Sequence, residues 1–197
     1  KKQKLCDLIA HYQLPTIEDD VYAELYFGLH QPKPLKSFDK QHLVMYCSSF
    51  SKSLAPGYRV GWVAGGKISE KINRLQLMTT ISPSVPAQAA IADYLQHGGF
   101  DRHLRKLREA LESQQQKMLV AIERYFPQDT RVTQPKGGYF LWIELPPQVD
   151  SLQLFKLALA QGISIAPGPI FSASQRFTNC IRMNYGNVWN TKIEEAV

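Results

Sequence analysis

Between residues 3 and 13 the apolar positions Leu5, Leu8, Ile9 and Tyr12 fall on one helical face. Leu14-Pro15 interrupts that face, and Thr16 to Glu18 reads as the start of a short strand. Residues 43–47 are rich in β-formers and apolar on both faces, the pattern of a strand buried in a parallel sheet. A third strand, Val60 to Ala64, is ended by Gly65-Gly66. Helical patterns follow over about 68–80 and 87–97, separated by Ser82-Pro83-Ser84 and closed by Gly98-Gly99.

The second part of the chain begins with a long amphipathic pattern from Asp101, a plausible N-cap, to Tyr125. Leu104, Leu107, Leu111, Met118, Leu119 and Ile122 form most of its stripe. Strands are predicted near Arg131 to Thr133, over Tyr139 to Leu145, at Ser164 to Ala166 and over Cys180 to Asn184. A helix at about 151–161 lies among them, and a last one begins near Asn190. No internal repeat is visible. Strand and helix alternate first, and a smaller α+β unit follows. The predicted boundary is near residue 99, giving units of 1–99 and 100–197 joined by the long helix.

Composition changes this picture little. The 197 residues are 44% hydrophobic and carry a formal charge of +6, enough for one or two globular domains. No apolar run reaches the ~20 residues that span a bilayer. Three scattered cysteines show no metal-ligand spacing and read as free thiols in a reducing cytoplasm. The basic run Arg102-His103-Leu104-Arg105-Lys106-Leu107-Arg108 reads as a solvated helix face, since no DNA-binding motif accompanies it.

Three segments carry candidate chemistry. In Ser48-Ser49-Phe50-Ser51-Lys52-Ser53-Leu54-Ala55-Pro56-Gly57-Tyr58-Arg59, one lysine lies among serines, ahead of a Pro-Gly turn and an arginine. A buried amine with hydroxyls and a guanidinium in reach suits an aldehyde cofactor that carries a phosphate, namely pyridoxal phosphate (PLP). The segment follows a predicted sheet strand, where open α/β sheets place their ligands. Spacing alone leaves open a surface lysine in a serine-rich loop. Glu18-Asp19-Asp20-Val21-Tyr22 puts three acids at a strand end. It reads either as a solvated turn or as a carboxylate for a pyridine nitrogen with a tyrosine donor three residues on. Arg182, in Ile181-Arg182-Met183-Asn184, stands between apolar neighbours in a strand. It suits either a structural ion pair or a carboxylate clamp. The Gly137-Gly138-Tyr139-Phe140-Leu141-Trp142 and Ala166-Pro167-Gly168-Pro169-Ile170-Phe171 segments read as turns and core.

Taken together, Asp19-x-x-Tyr22, Ser49-x-Ser51-Lys52, Arg59, the Gly-Gly-aromatic strand, Pro167-Gly168 with Phe171, and Ile181-Arg182-x-Asn184 resemble the fold-type I PLP enzymes of the class I/II aminotransferases. The resemblance implies the C-terminal part of an α/β PLP-dependent transferase fold, with part of its large mixed sheet and its small α+β domain. It implies Lys52 as the Schiff-base and proton-shuttling lysine, Asp19 as partner of the ring nitrogen with Asp20 as rival, and Tyr22 as donor to the ring oxygen. It further implies Ser49 and Arg59 as phosphate ligands and Arg182 as substrate-carboxylate clamp.

The segments 16–22, 49–61 and 100–108 also resemble the MocR-type subfamily of GntR transcription regulators, which join a winged helix-turn-helix to an aminotransferase-like effector domain. That resemblance implies a cytoplasmic homodimer that binds an amino acid or amine at Lys52 and DNA through a domain absent from this chain. A working aminotransferase is the alternative. Both place the front half of the large sheet, its phosphate loop and the residues that pack on the ring before Lys1.

Overall fold

The computed structural model describes all residues, 1–197. Its contacts divide the chain into two units, Lys1–Leu107 and Arg108–Val197. The division falls inside the long helix rather than at the glycine pair marked in the sequence.

In the first unit, α1 (Lys2–Tyr12) ends at Gln13, whose left-handed conformation returns its amide to Ala10 and Ile9. The strands β1 (Thr16–Asp19), β2 (Val44–Ser49) and β3 (Gly61–Ala64) lie in that order in one sheet. β1 and β2 are parallel, with Asp19 opposite Cys47, and β2 and β3 are antiparallel, with Ser49 opposite Gly61. Cys6 and Ile9 of α1 pack with Leu35 and Val44, and Phe38 and Leu43 lie against that cluster. Val44 is the fully buried residue of β2, and every residue of β3 is exposed. Full burial on both faces, predicted for the strand at 43–47, is met only at Val44, on which α1 packs; the other residues of β2 are half-buried.

α2 (Ser69–Thr80) and α3 (Val85–Gln96) complete the peripheral helices. Ser84 caps α3 and accepts from the Ala87 amide. Pro86 stands inside its first turn, where a missing amide is tolerated, so the helix starts earlier than the sequence indicates. α4 (Gly99–Tyr125) also starts ahead of Asp101, which lies in its first turn.

The second unit holds an antiparallel sheet. Its strands are β4 (Arg131–Val132), β5 (Phe140–Glu144), β6 (Ala166–Pro167) and β7 (Cys180–Asn184), in the order β4-β5-β7-β6. α5 (Ser151–Ala160) is capped by Asp150, whose carboxylate accepts from Leu152 and Gln153, and α6 (Thr191–Ala196) by Asn190. Leu111, Met118, Ala121 and Ile122 of α4 are buried at helical spacing, as are Leu141, Ile143 and Ile181 of the sheet. Tyr185 is buried after β7. Its hydroxyl donates to the Gly138 carbonyl at 3.0 Å and accepts from Gln115 at 3.2 Å, which pins the Gly137-Gly138 turn ahead of β5.

Candidate cofactor site

The site elements of the first unit lie at the carboxyl ends of β1 and β2. Alternation along β1 sends Glu18 and Asp19 to opposite faces. Glu18 is consumed by structure: its two oxygens accept from the Leu35 and Lys36 amides at 2.6 and 2.8 Å. Asp19 faces the other way and is exposed, and the one hydrogen bond its carboxylate accepts is local, from the Val21 amide at 3.3 Å.

The neighbouring Asp20 is tied down. Its amide donates to Cys47, its carbonyl accepts from the Ser48 hydroxyl at 3.1 Å, and its carboxylate accepts from the Tyr46 hydroxyl at 3.2 Å. Burial, reinforced by the Asp20 charge, pushes the Tyr46 hydroxyl up to about 12. A tyrosine that stays protonated is a permanent donor, so Asp20 is the committed member of the pair. Sequence reasoning favoured Asp19, with Asp20 as its rival. Tyr46 was overlooked, although its place two residues before Ser48 in an alternating strand puts both on one face.

After Asp20 the chain turns through Ala23, whose amide donates to the Asp20 carbonyl, and so places Tyr22 over the lysine loop. The Lys52 ammonium stands 5.9 Å from the centre of the Tyr22 ring. Lys52 is exposed, where the sequence reading expected a buried amine. Its neighbour Ser53 is what is buried, only 3% exposed. The backbone here is a single turn in which the Leu54 and Ala55 amides both donate to the Phe50 carbonyl, at 2.8 and 3.0 Å.

Arg59 closes the loop. Pro56–Tyr58 forms one 3-10 turn, and Arg59 follows it in the left-handed region at φ 51°, a conformation uncommon outside glycine. That backbone returns the guanidinium to the serine loop, where Nη1 donates to the Ser51 hydroxyl at 3.3 Å. The hydroxyl that meets the arginine is thus Ser51, and Ser49 lies at the end of β2 with its hydroxyl unbonded within the chain. Two hydroxyls, a guanidinium, an amine and a carboxylate therefore gather at one sheet end, a donor set that fits a phosphorylated pyridine aldehyde.

The second unit presents its own site. Arg182 lies on β7, paired with Trp142 of β5 and Ala166 of β6. Its guanidinium carbon sits 4.1 Å from the Phe140 ring centre and 4.5 Å from that of Phe171. The buried Nε has no hydrogen-bond partner, and no carboxylate of the chain pairs with the side chain. The structural ion pair left open by the sequence is thereby removed. Arg182 lines a cavity of 830 Å³ together with Phe140, Asn184 and Lys192. Trp142 packs edge-on against Phe171 and Phe177, so the aromatic strand serves as scaffold for the arginine.

The fold is that of a PLP-transferase-like α/β protein, and the known structures agree. The multiple substrate aminotransferase from Thermococcus profundus superposes with a TM-score of 0.91 at 32% identity, over 99% of this chain and 49% of that one. The alpha-aminoadipate aminotransferase LysN from Thermus thermophilus gives 0.92 at 30% identity, over 99% and 51%. Among curated sequences, the HTH-type transcriptional regulator YdcR of Escherichia coli is 46% identical over 197 residues, which is 100% of this chain and 42% of that protein. The chain belongs to the aminotransferase class I and II family, which it matches over residues 1–197. It spans about half the length of the relatives it matches.

Proposed function

We propose that this chain is part of the aminotransferase-like effector region of a GntR/MocR-type transcription regulator, and that it holds PLP at Lys52. The observation that carries the cofactor is the convergence of Lys52, Tyr22, Ser51 and Arg59 at the sheet end beside Asp19. When bound, PLP supplies an electron sink for amino-acid chemistry. The LysN structure was solved with a phosphopyridoxyl-leucine adduct, which supports the same cofactor class here.

In this reading Lys52 would hold the cofactor through its amine, Asp19 would face the ring nitrogen and Tyr22 the ring oxygen, and Ser49, Ser51 and Arg59 would hold the phosphate. Arg182, its Nε unpaired between two aromatic faces, takes the carboxylate of an amino-acid ligand. The regulator reading is supported by the 46% identity to YdcR along the whole chain, and it carries with it a cytoplasmic homodimer and a DNA-binding domain elsewhere in the protein. No helix of the structure is long and apolar enough to cross a membrane. Ligand binding would bias a two-state equilibrium of the intact regulator.

The second reading, a working aminotransferase, is favoured by the likeness to enzymes at 30–32% identity. One experiment bears on both. Full-length protein and its Lys52→Ala variant are mixed with PLP, the absorbance of lysine-linked PLP is followed, and amino acids, amines and operator DNA are then added. A Lys52-dependent band with ligand-dependent DNA affinity supports the regulator. Sustained amino transfer without any effect on DNA supports the enzyme. The absence of a Lys52-dependent band in the full-length protein refutes both.

A further inference from the structure

The basic run that the sequence assigned to a solvated helix face contains a histidine that is turned partly away from solvent. His103 is partly buried, and its Nε2 lies 2.9 Å from the Ser53 carbonyl, fifty positions away in sequence. Ser53 immediately follows Lys52. The lysine turn spends the Phe50 carbonyl on its own amides, and no backbone amide reaches the Ser53 carbonyl. A buried carbonyl with no donor costs about 1–3 kcal/mol, and His103 is the group that answers it.

The contact is one of a set. Phe100, His103 and Leu104 fall at i, i+3 and i+4, on one face of α4. Phe100 packs edge-on against Phe50, the first residue of the turn, at 5.7 Å. Leu104 is buried. The start of α4 therefore grips the lysine turn at both ends, at Phe50 through a ring and at Ser53 through a hydrogen bond, with Lys52 between them. The exposed amine makes no hydrogen bond within the chain, so the direction in which it leaves the backbone is set by the turn.

We propose that His103 is a positioning residue for Lys52, acting by donating its Nε2–H to the Ser53 carbonyl. The proposal rests on the reading of Lys52 as the lysine that holds PLP. A carbonyl oxygen can only accept, so the imidazole presents Nε2–H in this contact.

The test compares wild type, His103→Ala and His103→Gln in the full-length protein. A glutamine amide reaches about as far as Nε2 and can donate to the same carbonyl. Two readouts are needed: hydrogen exchange at the Leu54 and Ala55 amides without cofactor, and the lysine-linked PLP absorbance with its dissociation constant. His103→Ala is expected to speed exchange and weaken PLP linkage, each roughly tenfold, as for a lost hydrogen bond to a buried carbonyl. His103→Gln is expected to restore most of both.

Wild-type behaviour of His103→Ala in both readouts overturns the proposal. So does an equal loss in His103→Gln, which would reduce the histidine to packing. A wild-type protein with no Lys52-dependent band overturns it too, but by removing the Schiff-base reading. That outcome is recognised because the band is already missing before any histidine is changed.

Discussion

The Tyr46 hydroxyl donates to the Asp20 carboxylate at 3.2 Å, and this bond separates two adjacent acids that are chemically alike. Asp20 is held on the strand side, while Asp19 keeps only a local amide. Asp19→Asn is expected to weaken PLP binding by about 1.5–3 kcal/mol, the range for a hydrogen bond to a charged group. Asp20→Asn leaves an acceptor for Tyr46 and should change the dissociation constant by less than roughly threefold. Absorbance titration of both variants in the full-length protein checks this, and the reverse ranking would exchange the two roles.

Arg182 should discriminate between ligands by their carboxylate. Arg182→Lys keeps the charge but loses the planar fork and its stacking between Phe140 and Phe171, so it is not a conservative change here. The expected cost for an amino acid is about 1.5 kcal/mol, as for one lost hydrogen bond to a charged group. The amine that lacks the carboxylate should bind almost unchanged. Calorimetric titration with matched amino acid and amine reads the difference directly.

Asp39 is a structural acid at the entrance to β2. Its carboxylate accepts from the Leu43 and Val44 amides at 3.2 and 2.8 Å and from the Lys36 ammonium at 3.2 Å. Burial alone would push this carboxyl up, but the two amides and Lys36 outweigh it and hold it below the ordinary value. Its contribution is therefore present above the unfolded-state value and lost as pH falls through the lower folded one. Asp39→Ala removes the acceptor of three amides, those of Gln41, Leu43 and Val44, and leaves Lys36 only the Val44 carbonyl, and it should cost about 3 kcal/mol in urea unfolding.

Two tyrosines set an alkaline limit. Burial pushes both Tyr46 and Tyr185 up to about 12, from an ordinary value of 10.0. The unfolded chain loses these protons first as pH rises. The stability they contribute is complete below the unfolded value and disappears as pH climbs through the folded one. Tyr185→Phe should lose less stability than wild type over that interval, as read from denaturant midpoints measured across it.

Much of this arrangement was legible along the chain. The order of strands and helices followed from periodicity, because Leu5, Leu8 and Ile9 or Leu104, Leu111 and Met118 have no other simple explanation. That the Arg182 side chain stands among apolar groups was legible from its neighbours in the strand alone. The exposure of Lys52 was not, because exposure depends on what covers a loop and not on what composes it. Nor was the choice of Ser51 over Ser49 as the contact of Arg59, which depends on the left-handed backbone at Arg59 itself. The Tyr46–Asp20 bond joins residues 26 positions apart through a parallel pairing, and local patterns do not encode such a partnership.

The three-stranded sheet has practical consequences of its own. Both β1 and β3 are edges, with backbone donors and acceptors unpaired along one side. Each also shows a large apolar side chain to solvent, Ile17 at 69% exposed and Trp62 at 47%, with Asp19 the exposed charge on β1. Edges without lysine, proline or a bulge are templates for adding further strands. Prepared as an isolated 197-residue polypeptide, the molecule should therefore be limited by solubility before it is limited by folding. Shielding those two edges is the first requirement for handling it at concentration.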